Sequence, residues 1–159
     1  MASTQASVEV PASADKVWAL VGGFNALPDW LPMISSSVAQ EGGRLRHLTT
    51  GDGTVIVERL ETYDNAARTY SYSIVQGPFP ATDYLATLRV LALPGADQCR
   101  VEWGGQFTPV GVSDAEVVAI FDEVYRGGLQ ALLRNFASRS RNAALTAAGR
   151  AVSARGTEG

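Results

Sequence analysis

Four side chains in this 159-residue sequence have types that could work together chemically: Arg46, Glu58, Tyr72 and Tyr84. Glu58 lies in the run Thr54 to Tyr63, whose alternation places it on one strand face with Ile56 and Leu60. A carboxylate among apolar neighbours is costly to bury unless paired, and desolvation moves its pKa up toward proton-transfer chemistry. The run Arg44 to Thr50 precedes it across Gly51-Asp52-Gly53, a short loop with glycines for positive φ. Centring this hairpin on Asp52 sets Arg46 opposite Glu58, Leu48 opposite Ile56, and His47 opposite Val57 on the other face. Arg46 would favour the charged carboxylate and oppose the shift. Two roles therefore stay open for the pair: an ion pair bracing the sheet, or a proton-transfer group whose charge Arg46 sets.

The next turn, Asp64-Asn65-Ala66-Ala67, leads into Arg68 to Gln76. A three-residue loop pairs Glu58 with Ile74, Leu60 with Tyr72 and Thr62 with Tyr70, keeping the large apolar residues on one face. In a meander, Tyr72 and Tyr84 point the same way. Their hydroxyls could orient a carbonyl or phenol, donate to a developing enolate, or simply be satisfied while the rings pack. The catalytic candidates are thus Glu58 and Tyr72, with Arg46 and Tyr84 contacting ligand. His47 is the only histidine and faces away, and Cys99 is the only cysteine. A single histidine removes most histidine-based catalysis and any His-rich metal site, a single cysteine excludes an internal disulfide, and no cofactor is called for. The glycine pairs at 22–23, 42–43 and 104–105 lack the strand–loop–helix setting of a phosphate cradle.

These groups need a frame, and the strongest local signal for one begins at Gly111-Val112-Ser113-Asp114-Ala115-Glu116-Val117. Ser113 suits an N-cap, Glu116 completes a capping box, and Val112 and Val117 occupy the staple positions. Val117, Ile120, Phe121, Val124, Gly128, Leu132 and Phe136 then recur at helical spacing, flanked by Val118, Tyr125, Leu129 and Leu133. Gly127-Gly128 in the middle either lets something pack closely or leaves room beside the helix. The pair is expected to face a cavity walled by Tyr72, Tyr84, Trp103 and Phe121. A helix from Asp114 to Ala148 would be about 50 Å long, beyond the roughly 30–40 Å span of such a domain. The domain is therefore expected over 1–140, with 141–159 a helix extension or a frayed tail.

Upstream, Ser3 to Val10 reads as a strand, Ser13 caps a helix that Gly22-Gly23 ends, and Phe24 to Trp30 forms a second short helical piece containing Pro28. Ile34 to Gln40, the two hairpins above, Asp83 to Leu93 and Cys99 to Thr108 complete six further strands as an antiparallel meander. The net charge of −3 and the absence of a basic aromatic stripe argue against nucleic acid. No stretch approaches the ~20 apolar residues of a membrane span, and Met-Ala-Ser-Thr-Gln is no leader, so a soluble cytoplasmic protein is expected.

Several stretches together resemble the helix-grip fold of the START-like superfamily, and within it the bacterial polyketide cyclase/dehydrase-like branch. They are Val17-Trp18 with Phe24, Leu27 and Trp30-Leu31-Pro32, then Glu58 to Asp64, Tyr70 to Ile74, Asp83 to Val90, and Val101-Glu102-Trp103 with Phe107. The resemblance implies an α+β fold: a curved antiparallel sheet grips the long C-terminal helix, with a pocket for an apolar small molecule between them. Trp103, Phe107, Phe121 and Tyr125 would wall that pocket beside Gly128, and Trp30 would sit at its rim or cap the short helices. Some relatives cyclise or dehydrate aromatic polyketides, others carry lipids or sense hormones. The branch shares no catalytic motif, so no catalytic residue follows from it. The expected function is binding of a hydrophobic or aromatic molecule, with cyclase/dehydratase action by proton transfer or non-catalytic carriage of an apolar ligand as the two readings. Monomer and homodimer both remain open.

Overall fold

A computed structural model describes residues 1–95 and 97–155, with side chains as far as Ala137. The strands are β1 (Ala2–Val10), β2 (Ile34–Gln40), β3 (Leu45–Thr50), β4 (Val55–Asp64), β5 (Thr69–Gln76), β6 (Ala81–Ala92) and β7 (Cys99–Pro109). The helices are α1 (Ala14–Val21) and α2 (Asp114–Arg155). One curved antiparallel sheet runs in the order β1-β7-β6-β5-β4-β3-β2, so β2 to β7 form the expected meander and β1 joins its far edge beside β7. The concave face carries the core, and α2 lies across it.

The caps follow the sequence. Ser13 Oγ accepts from the Lys16 N–H at 3.2 Å, and Ser113 Oγ accepts from the Glu116 N–H at 3.2 Å. Between β1 and α2 lies a short ladder of polar contacts: Thr4 Oγ1 donates to Asp122 Oδ1 at 3.1 Å, and Arg126 Nε donates to Asp122 Oδ2 at 2.7 Å. The buried stripe of α2 is Val117, Phe121, Tyr125, Leu129, Leu132 and Phe136, all at most 6% exposed. The helix backbone continues to Arg155, about 63 Å in all at 1.5 Å per residue. Whether residues 141–159 pack or project concerns side chains outside the described residues.

Two expectations need correction. The piece from Phe24 to Trp30 is helical only as a single 3₁₀ turn, Leu27–Asp29, because Pro28 sits in its first positions and supplies no N–H to extend it. In the β4–β5 ladder, Glu58 pairs with Ile74 and Leu60 with Tyr72, but Thr62 pairs with Ser71 and Tyr63 with Tyr70. A bulge between Leu60 and Thr62 adds one residue to β4 and shifts the register beyond it. Tyr63 thereby comes onto the face of Tyr70 while staying 45% exposed. Its ring stacks 6.2 Å from Tyr70, and its hydroxyl donates to the Gly22 carbonyl at 2.8 Å, closing the end of α1. Trp18 Nε1, on α1, donates to Asn65 Oδ1 at 2.7 Å on the same β-turn.

The Ser113 cap satisfies one otherwise unpaired helix donor, so Ser113→Ala should lower stability by about 1 kcal/mol. A chemical denaturation midpoint unchanged from wild type would mean that packing of the α2 stripe alone holds the helix.

Candidate functional site

The β3–β4 hairpin places Arg46 opposite Glu58, as the loop symmetry requires. Both are buried, Arg46 at 1% and Glu58 at 7% exposure. Arg46 Nε donates to Glu58 Oε1 at 2.8 Å, and Nη2 lies 2.7 Å from the same oxygen without an aligned hydrogen bond. Nη1 donates to the Phe24 carbonyl at 2.7 Å. The guanidinium carbon sits 4.1 Å from the Phe24 ring centroid, 4.8 Å from Tyr72 and 5.9 Å from Tyr70. Three aromatic faces and one carboxylate therefore enclose this cation. Among the described residues, Glu58 Oε2 receives no protein donor.

Burial pushes the Glu58 carboxyl above its ordinary value, and the adjacent Arg46 charge opposes this only in part. Burial is the largest single influence on Arg46 and alone would lower its pKa, but Glu58, Tyr70 and Tyr72 together outweigh it and keep the guanidinium firmly protonated. Tyr72 and Tyr84 lie well above the ordinary phenol range, chiefly through burial, with the negative Glu58 adding to both. These phenols are neutral donors and acceptors, never bases. Tyr72 Oη accepts from Trp103 Nε1 at 2.9 Å, which leaves its own proton to give. Tyr84 and Tyr125 share a hydroxyl–hydroxyl hydrogen bond that joins β6 to α2. Gly105 makes this possible: a Cβ there would stand 2.5 Å from the Tyr125 hydroxyl.

A cavity of about 40 Å³ lies between sheet and helix. Of the residues singled out in the sequence, Arg46, Glu58, Tyr72, Tyr84, Trp103 and Phe121 line it. Phe107 stands behind, 4.7 Å from the Phe121 ring, and Tyr125 backs the wall through its hydrogen bond to Tyr84 and its ring contacts with Trp103 and Phe121. Trp30 is not at a rim. It is 3% exposed, packs edge-on 5.6 Å from Trp103, and leaves Nε1 without a partner among the described residues. Gly128 does not face open space either. A Cβ on it would meet Trp103 Cζ3 at 2.6 Å and Leu31 Cδ1 at 2.9 Å, so helix and core approach closely here. His47 lies half-buried on the opposite face of β3.

Sequence reasoning did not assign Phe79, Ile74, Leu31, Met33 or Val124 to the pocket, and all five line it. Phe79 was legible in outline, as an aromatic between two prolines in a stiff loop. It packs 4.9 Å from the Phe121 ring, and beyond it, on the solvent side, lies a groove of about 380 Å³. Small-molecule sites usually occupy some 300–1,000 Å³. A cavity of about 40 Å³ therefore accepts a ligand only by opening, and Phe79 is one of four side chains, with Ile74, Tyr84 and Phe121, that border both spaces.

Two expected outcomes follow. Phe79→Ala should strengthen binding of an apolar fluorescent probe several-fold, and equal affinity would place the opening elsewhere. Glu58→Ala strands a buried guanidinium and should cost about 3–5 kcal/mol, whereas Glu58→Gln retains an acceptor and should cost less. Because the folded carboxyl is raised, its contribution is complete below its unfolded value of 4.5 and is lost as pH rises through the folded value. Wild type should thus hold its largest advantage over Glu58→Gln in acid. Denaturation of both proteins across pH checks the sign.

The family described as polyketide cyclase/dehydrase and lipid transport matches residues 1–140. The chain is 48% identical to XoxI from Bacillus cereus, with 88% of this chain and 99% of that one covered at a TM-score of 0.86. It is 49% identical to a protein from Bacillus thuringiensis, with 85% and 98% covered at a TM-score of 0.84. A START superfamily protein from Mycobacterium smegmatis shares the fold at 21% identity and a TM-score of 0.70, over 86% of this chain and 97% of that one. No curated protein is significantly similar. The sheet gripping α2, the cavity between them and the match over residues 1–140 have one meaning: the chain belongs to the polyketide cyclase/dehydrase and lipid transport family, with a START-like fold.

Proposed function

We propose that the protein binds an aromatic small molecule bearing hydroxyl or carbonyl oxygens in the space between sheet and α2. The observation that carries this reading is the polar group on an otherwise apolar wall. Arg46 and Glu58 form a fixed pair, Glu58 Oε2 is free to accept, and the Tyr72 hydroxyl keeps a proton to donate. An aliphatic lipid chain would use none of these. A ring with adjacent oxygens would use both the acceptor and the donor, and Trp103, Phe121 and Tyr84 supply its faces. The expected occupant excludes nucleic acid, in keeping with the acidic balance of −3.

The test compares a polyphenolic aromatic with a saturated fatty acid, each titrated against the intrinsic fluorescence of Trp103 and its neighbours. Tyr72→Phe should weaken the aromatic ligand by up to about tenfold, the worth of one hydrogen bond, and leave the fatty acid unchanged. Tighter binding of the fatty acid, indifferent to Tyr72→Phe, would make the protein a lipid carrier instead.

A second reading, cyclase or dehydratase action, is favoured by one observation, the raised carboxyl of Glu58 at the cavity wall. Such a group can take a proton from a carbon flanked by carbonyls and return it to a leaving hydroxyl, while Tyr72 steadies the developing enolate. In that case Glu58→Gln should lower turnover of a polyketide-like substrate by about 10²–10⁴-fold with binding retained. Unaltered turnover in a less stable variant would assign Glu58 to the scaffold alone.

A further inference from the structure

Gly127 has no use inside the chain. A Cβ on it would meet nothing within 4 Å, unlike its neighbour Gly128 against Trp103. Glycine is a poor helix former, so an exposed one in mid-helix calls for something that approaches from outside. It lies in an open, mainly apolar groove of about 460 Å³ running along α2 beside Leu31, Pro32 and Met33. The helix contributes Ile120, Glu123, Val124, Gly127, Gly128, Ala131 and Arg134, one continuous face at the spacing that another helix could pack against. Met33 stands 43% exposed at the opposite wall.

Two charges of opposite sign line the groove, Glu123 and Arg134, about 16 Å apart along the helix. Among the described residues, neither makes an ion pair or a side-chain hydrogen bond, although five other ion pairs form. An object that fits must be apolar in the middle, admit close approach at Gly127, and carry opposite charges in reversed order. The same helix run antiparallel meets all three conditions.

We infer that a second copy of this chain docks here, α2 against α2 about a two-fold axis at Gly127. With the axis there, Glu123 of one copy falls beside Ala131 and, one turn on, Arg134 of the other, and symmetry repeats the pair. Gly127 and Ala131 let the two backbones approach, and Met33 of each copy covers the edge of the seam. The sequence keeps the same polarity along the helix: Asp114, Glu116, Asp122 and Glu123 lead it, while six arginines and no acidic residue fall between Val124 and Thr157. Leu31, Met33 and Val124 also wall the internal cavity, so this dimer would cover one side of the ligand site.

The full chain is examined by sedimentation velocity across micromolar to high-micromolar concentration. Wild type is expected to dimerise reversibly. Gly127→Leu should weaken the dimer at least tenfold without lowering the monomer's melting temperature, since the side chain enters open space. Glu123→Arg and Arg134→Glu should each be monomeric alone, because each places like charges together twice. Mixed in equal amounts they should form a heterodimer, in which both cross-pairs are again opposite in sign. A wild type that stays monomeric throughout overturns the proposal, as does a dimer indifferent to all three substitutions. If Gly127→Leu instead abolishes binding of an apolar fluorescent probe to a monomeric protein, the groove belongs to a small molecule and not to a second copy.

Discussion

A positive charge buried in an aromatic core dictates much of this molecule. The Arg46 guanidinium has no water to solvate it, so the protein must replace that shell from fixed positions. Glu58 answers from the neighbouring strand, the Phe24 carbonyl from the loop after α1, and the rings of Phe24, Tyr70 and Tyr72 from two further directions. Each answer constrains a different part of the chain. The β3–β4 register cannot slip by one residue without turning Glu58 to the far face. The loop at Phe24 cannot lift without removing an acceptor and an aromatic face together. Loop, hairpin and sheet centre are thereby locked to a single atom group.

That lock was readable in the residues because hairpin symmetry and strand alternation both act on it. The loop Gly51-Asp52-Gly53 centres the pairing, and an Arg opposite a Glu on an apolar face makes sense in one register only. The helix start was equally legible, since cap, acidic first turn and apolar spacing coincide at Ser113. What escaped were features without a periodic signature. The bulge after Leu60 adds one residue to β4, and a pattern of period two looks the same on either side of it until Tyr63 is found paired with Tyr70. Glycine gave the least information. Gly127 and Gly128 read as one pair, yet one touches Trp103 and the other touches nothing. Trp30 was ambiguous for a related reason: amphipathic rings suit both a rim and a core, and only packing decides.

The site divides between what the fold supplies and what this chain adds. Sheet curvature and α2 supply an enclosed space and its apolar walls. The chain's own additions are a charged pair, a phenol with a spare proton and a small closed volume. Because the cavity is nearly filled by its own side chains, ligand recognition and side-chain displacement are one event here. Affinity must then reflect the ease of moving the lining side chains, Phe79 among them, as much as the contacts made afterwards.

The contact of Gly128 with Trp103 also bears on how such a chain can change over time. Only a residue without a side chain fits beneath that indole, so the contact fixes the rotational phase of α2 as a gear tooth fixes a wheel. Inserting or deleting one residue between Ser113 and Gly128 would turn everything after it by about 100° and bring a side chain to the one place with no room for it. Substitutions can accumulate on the solvent side of this segment, but its length cannot drift. The first four turns of α2 should therefore be free of insertions and deletions among relatives, even where their residues differ at most positions.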